Sequence, residues 1–356
     1  MSESNGGGRP VPGRTGRLRD AAVLALSGAV LALAAGANLS PSRPPAEAPQ
    51  APTAEAALVP SPLPTGAPSS ATEVIFSEAA SCHFVDRGFG DYERWRSLPL
   101  GRLLVPQGHG VDDDGSFDLL IHFHGAEAVR KQIAHERLDL VIAGVDAGVM
   151  SSSYSKALSS PGAFRSLLAT IEADVARSIG APRARARNIA LSSWSAGYGA
   201  VAQALAQFDE RDSPAPNSPP IGAVILLDSL HASYADGAGH IAPGQLSSFV
   251  EAARAASLGG PLFFLTHTDV RTEGYASTSE TASFLLAQLK ITPMPVEPDP
   301  DSPIRLTRLA ESGRLFVRGY GGFGKEDHCA QLRLLPSILF EHVLPSFQTK
   351  KPAARP

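Results

Sequence analysis

Six apolar runs of strand length constrain this chain most, because each is continuously apolar rather than alternating. They lie at residues 101–105, 117–123, 138–143, 188–191, 223–227 and 261–265, and a seventh follows at 314–318. Between them fall amphipathic stretches with helical spacing, at 164–179, 196–208, 245–256, 279–289 and 332–342. A strand apolar on both faces must be covered on both faces, and strand–helix alternation favours parallel pairing through crossovers. The expected fold is therefore α/β, a mostly parallel sheet with helices on both sides. Ligands of such sheets gather at the carboxyl ends of the strands, so the residues just after each run are the first to inspect for chemistry.

After the fourth run stand Ser193, Trp194, Ser195, Ala196 and Gly197, leading directly into the helical stretch that begins at Tyr198. A serine is a weak nucleophile unless it is presented to a base with helix-terminal amides nearby to receive an oxyanion. A sharp strand-to-helix turn with small residues two positions either side meets that need, and Ser195 sits at its apex between Ser193 and Gly197. The first small residue is serine where glycine is usual.

With the order of elements, this turn makes residues 100–342 resemble the α/β-hydrolase family. The matching pieces are the strand ending His122, Phe123, His124, Gly125 and Ala126, the turn at Ser195, acids after the next two strands, and His328 after the last one. The resemblance implies a serine esterase or lipase-like hydrolase with nucleophile Ser195 and general base His328. It further implies an oxyanion site made by the amide of Ala196 with that of Gly125 or Ala126. For the acid that orients His328 two residues compete. Asp228 ends the run 223–227, where a buried carboxylate needs a partner, and Asp269 follows the run 261–265 on the strand the family more often uses. Glu273 and Asp327 remain as weaker alternatives. No cofactor is implied.

Histidines crowd the same strand ends. His122 and His124 share a strand face, and His231 and His267 follow two other strands, so with Asp228 they could form a hydrolytic zinc site. The contiguous pattern of ligands that such a site commonly shows is broken by Gly125 and Ala126. Trp194 and Tyr198 either line an apolar pocket or pack in the core. Residues 231–260 exceed a minimal connection and are expected to include a small cap. Asp112, Asp113, Asp114 and Gly115 read as a hairpin turn rather than a calcium loop, which would need a distal glutamate.

The ends of the chain differ in kind from its middle. Arg9, Arg14, Arg17 and Arg19 precede an apolar segment at 21–35 and the small-residue site Ala35, Gly36, Ala37. This pattern predicts a signal peptide or an uncleaved membrane anchor over 1–37, and hence export to the periplasm, the cell surface or the medium. Residues 38–72, rich in Pro, Ala and Ser, read as a disordered linker, 73–346 as the α/β domain and 347–356 as a polar tail. Formal net charge is −4 over 356 residues, with no basic stripe, which argues against nucleic acid as a partner. The expected partner is a small or envelope-derived ester, with membrane contact only through the N-terminal segment. Cys82 and Cys329 are the only two cysteines. In an exported protein they can close a disulfide beside His328, the alternative being two buried thiols. A non-catalytic envelope-binding protein on the same fold stands as the second functional class.

Overall fold

The computed structural model describes residues 82–208 and 219–348. The expected signal or anchor, the linker, the start of the domain before residue 82 and the tail beyond residue 348 lie outside the described residues. What is described is an α/β arrangement, a mostly parallel sheet of ten strands in the order β1-β2-β4-β3-β5-β6-β7-β10-β9-β8. The strands are β1 Arg96–Ser97, β2 Arg102–Leu104, β3 Ser116–Phe123, β4 Leu140–Val145, β5 Arg185–Trp194, β6 Ile221–Leu227, β7 Leu262–Thr268, β8 Met294–Pro295, β9 Leu306–Ser312 and β10 Leu315–Tyr320. The six central strands, β4 through β10, run parallel, and antiparallel pairs flank them on both sides.

Period-two alternation sends neighbouring side chains of one strand to opposite faces, and both faces are buried. Leu119, Ile121, Leu191, Leu226 and Phe263 pack with Phe164, Ile171, Val201, Phe249 and Leu285 from the helices Ala163–Ile179, Tyr198–Phe208, Ser247–Ser257 and Thr278–Leu289. On the other face Leu120, Ile142, Ala190, Ile225 and Phe264 meet Val129 and Ile133 of the helix Ala126–Ile133 and Leu335, Leu339 and Phe347 of the C-terminal segment. That double burial is why the sequence shows unbroken apolar runs.

Register aligns the strand ends. Phe123 pairs with Val145 on one side and Ser193 on the other, Trp194 with Leu227, Leu227 with Thr266, and Thr268 with Tyr320. The residues that follow, His124, Asp146, Ser195, Asp228 and Asp269, therefore leave the sheet along one edge.

Several elements differ from expectation for identifiable reasons. β4 begins at Leu140 rather than 138 because Arg137 and Asp139 are left-handed, with φ of 46° and 53°. The C-terminal helix is a series, 3-10 at Gln331–Leu334, α at Leu335–Ile338, a π turn at Leu339–Val343 and α at Leu344–Gln348. Pro336 and Pro345 remove two amides from that segment, which favours such changes of pitch. The long stretch 231–260 is mostly crossover. Its helix Ser247–Ser257 covers the sheet, and the remaining loop carries isolated bridges between Ala232 and Ala276 and between Tyr234 and Ile241. Asp112 to Ser116 form a tight turn, with the Asp114 carboxylate accepting from the Ser116 amide at 2.8 Å.

Candidate active site

Ser195 occupies the turn between β5 and the helix Tyr198–Phe208, at the start of a 3-10 segment, Ser195–Gly197. Its φ is 49°, a left-handed conformation costly for a residue with a Cβ and typical of a side chain held out for function. His124 and Asp228, at the ends of β3 and β6, are also left-handed, with φ of 72° and 44°. Three adjacent strand ends thus each carry a left-handed residue with a side chain. Gly197 must be glycine, since a Cβ there would run into the Phe123 carbonyl.

Serine at 193 is a working part of the turn rather than a tolerated substitute. Its Oγ lies 2.7 Å from Ser229 Oγ, and Ser229 donates to the Ser195 carbonyl at 2.8 Å. With Ser229 committed to that carbonyl, Ser193 is the donor in the first bond. The chain fixes the nucleophile's backbone to the loop that carries Asp228. Sequence reading missed Ser229, although its place directly after Asp228 was a signal.

Asp228, not Asp269, meets the histidine. His328 Nδ1 lies 2.7 Å from Asp228 Oδ2. Asp228 is almost completely buried, and its carboxylate also accepts from the Thr268 amide at 2.9 Å, the Thr268 hydroxyl at 2.7 Å and the Thr278 hydroxyl. Burial pushes its carboxyl pKa up, but the hydrogen bond and charge of His328, then the hydroxyls of Thr278 and Thr268, outweigh it and hold the group below its ordinary value. An ionised acceptor fixes the proton on Nδ1 and leaves Nε2 of His328 as the basic nitrogen. Asp269 instead pairs with Arg308 at 2.5 Å. Asp327 accepts from the Gly324 amide at 3.0 Å, capping the short helix Lys325–Ala330. His328 stands in that helix.

Trp194 sets the height of this histidine. Its fully buried ring stacks on His328 at 4.6 Å and on His124 at 5.2 Å, while its indole N–H donates to the His328 carbonyl at 3.1 Å. It belongs to the core and does not line a pocket. A disulfide joins Cys82 to Cys329, the residue after His328, with Cα atoms 5.5 Å apart. Ser195 Oγ and His328 Nε2 are not hydrogen-bonded to one another among the described residues, a contact that in catalytic serines often tightens only on substrate binding.

The amides expected to be oxyanion donors, those of Gly125 and Ala126, are engaged within the protein. Both amides point at Asp146 Oδ1, at 2.7 and 3.2 Å. The cause is local: the helix Ala126–Ile133 begins immediately after Gly125, its first amides have no intrahelical acceptor, and Asp146, at the end of the neighbouring strand β4, caps them. Asp146 in turn pairs with Arg102 at 3.2 Å. Gly125 itself is required by its φ of 82° and by the Trp194 ring, which lies 3.2 Å from where a Cβ would stand. Ala196, in the 3-10 turn after Ser195, keeps the helix-terminal position expected of a donor.

The four histidines considered for zinc have separate duties. His122 is fully buried, with Nδ1 2.8 Å from Ser192 Oγ and Nε2 2.7 Å from the His124 carbonyl, and burial lowers its pKa to about 4. His124 bonds the Tyr154 hydroxyl at 2.8 Å. His267 bonds Ser279 Oγ at 2.9 Å, and burial, then the Arg308 charge, lowers its pKa to about 4. His231 donates from Nδ1 to the Ala276 carbonyl at 3.1 Å. Among the described residues no group of three or more His, Cys, Asp or Glu side chains is arranged to hold a metal ion.

No protein-family model matches the chain, and no curated protein matches its sequence. Among solved structures it is similar to LpqC, a poly(3-hydroxybutyrate) depolymerase from Bordetella parapertussis, at 14% identity and a TM-score of 0.36, over 68% of this chain and 84% of that one. Among the described residues no helix is long and apolar enough to cross a membrane.

Proposed function

We propose that this protein is an exported serine hydrolase that cleaves an ester, in preference to an amide, with Ser195, His328 and Asp228 as its triad. The observation that carries the reading is the His328–Asp228 pair beside a left-handed serine at a strand-to-helix turn. Ser195 Oγ attacks the carbonyl carbon as its proton passes to His328 Nε2, and the carbonyl electron pair moves onto oxygen. Collapse of that oxyanion breaks the bond to the leaving alkoxide, which takes the proton back from His328. A water deprotonated by His328 then releases the acyl group from Ser195. Asp228, already held by two threonines, keeps the imidazole in the tautomer this sequence requires. The amide of Ala196 stabilises the oxyanion, an interaction whose removal typically costs about 3 kcal/mol in such sites.

Engagement of the Gly125 and Ala126 amides by Asp146 favours one second reading, a non-catalytic binding protein on this fold. Hydrolysis of short activated esters separates the two. The triad reading expects turnover by the wild type and its loss in Ser195→Ala with unchanged circular dichroism. Equal rates in both proteins overturn it.

A further inference from the structure

His231 stands three residues after Asp228 and takes no part in the proposed proton transfer. Its loop is tied to the one before the helix Thr278–Leu289, through an Ala232–Ala276 bridge and the bond from its own Nδ1 to the Ala276 carbonyl. Because Nδ1 carries the proton, Nε2 carries the lone pair and can only accept. Its ring lies against Tyr198 at 5.9 Å, on the helix that follows Ser195, and against the partly exposed Tyr275 at 5.3 Å. Burial, the larger influence, holds its pKa below the ordinary histidine value and favours the neutral ring, against the opposing bond to the Ala276 carbonyl and the charge of Asp228. Nε2 has no hydrogen-bond partner among the described residues, nor is it a sealed, unpaired atom of the interior. A fixed, neutral acceptor beside the triad and between two tyrosines has the character of a substrate contact.

We infer that His231 Nε2 accepts a hydrogen bond from a hydroxyl on the substrate, making hydroxyl-bearing esters, with the hydroxyl a few bonds from the scissile carbonyl, the preferred class. The inference rests on the triad reading, and supplies a substrate class that the triad alone leaves open. Tyr198 and Tyr275 would flank the carbon skeleton of such a substrate, and the hydroxyl would distinguish it from an alkyl ester of equal size. A single neutral hydrogen bond corresponds to a preference of about tenfold.

The test measures kcat/KM for para-nitrophenyl butanoate and its monohydroxylated analogues, and for propyl and glyceryl butanoate, so that hydroxyls on both sides of the ester are sampled. The wild type should favour at least one hydroxylated member of a pair by about tenfold. In His231→Phe, which keeps an aromatic ring but removes the acceptor, that ratio should fall to near one. His231→Gln, which restores an acceptor oxygen, should recover part of it. Ratios do not depend on the folded fraction, and the glutamine variant serves where phenylalanine does not fold. A wild-type ratio near one in every pair, or a preference that persists in both variants, overturns the inference and leaves the triad intact. Absence of any Ser195-dependent hydrolysis overturns both.

Discussion

The two halves of the candidate site are built to different standards. On the acid–base side, Asp228 is sealed from solvent and receives hydrogen bonds from His328, the Thr268 amide and hydroxyl, and the Thr278 hydroxyl. On the oxyanion side, the amides of Gly125 and Ala126 are held by Asp146, a carboxylate that is 42% exposed and shared with Arg102. A buried carboxylate with every lone pair engaged has little freedom, so the imidazole it orients is preorganised. A partly solvated one can be exchanged for another anion at modest cost. Under the proposed triad, the comparison teaches that proton handling would be fixed in this fold while charge stabilisation would be adjustable.

The largest expected effect breaks the fixed half. Asp228→Asn should lower kcat by three to four orders of magnitude, because the wrong imidazole tautomer is favoured and the threonine cage loses its charge. Asp269→Asn, which only releases Arg308 at the surface, should stay within about threefold of wild type. Comparable losses in the two variants would remove the distinction between the acids.

Reduction of Cys82–Cys329 comes next. The bond spans 247 residues of sequence and anchors the residue after His328. The chain-entropy model gives more, but such bridges commonly deliver about 2–4 kcal/mol, and that loss should appear in urea unfolding with and without reductant. Unchanged stability would mean that the Asp228 bond and the Trp194 contacts hold the His328 helix without the bridge.

The smallest effect probes the adjustable half. Asp146→Ala should cost about 1 kcal/mol of stability through the lost helix cap and raise kcat several-fold as the two amides become available to an oxyanion. A fall in kcat would instead assign Asp146 the task of aligning those amides.

The same contrast runs through what the sequence made legible. Strands buried on both faces announced themselves as unbroken apolar runs, and the turn at Ser195 was readable because its steric demands leave Gly197 no substitute. β1, β8 and β9 were not readable: they are edge or near-edge strands, and β9 mixes Thr307, Arg308 and Glu311 with apolar residues because only part of it is covered. The helix Ala126–Ile133 escaped notice since its start is capped by a residue 20 positions away rather than by a local signal. That long-range cap is also why the engagement of the Gly125 and Ala126 amides was not readable. Asp228 and Asp269 looked alike in sequence, each at a strand end. Which one reaches His328 depends on Thr268, Thr278 and Arg308, contacts set by tertiary packing rather than by spacing.

The central claim is that Ser195 is a nucleophile activated by His328 and Asp228. Treating the purified protein with a fluorophosphonate and mapping the adduct by peptide mass spectrometry tests it most directly. The account predicts one phosphonyl group, on Ser195, formed at a rate that falls steeply in Asp228→Asn and is absent in Ser195→Ala. An unlabelled wild type, or an adduct on any other residue that persists in Ser195→Ala, would contradict it.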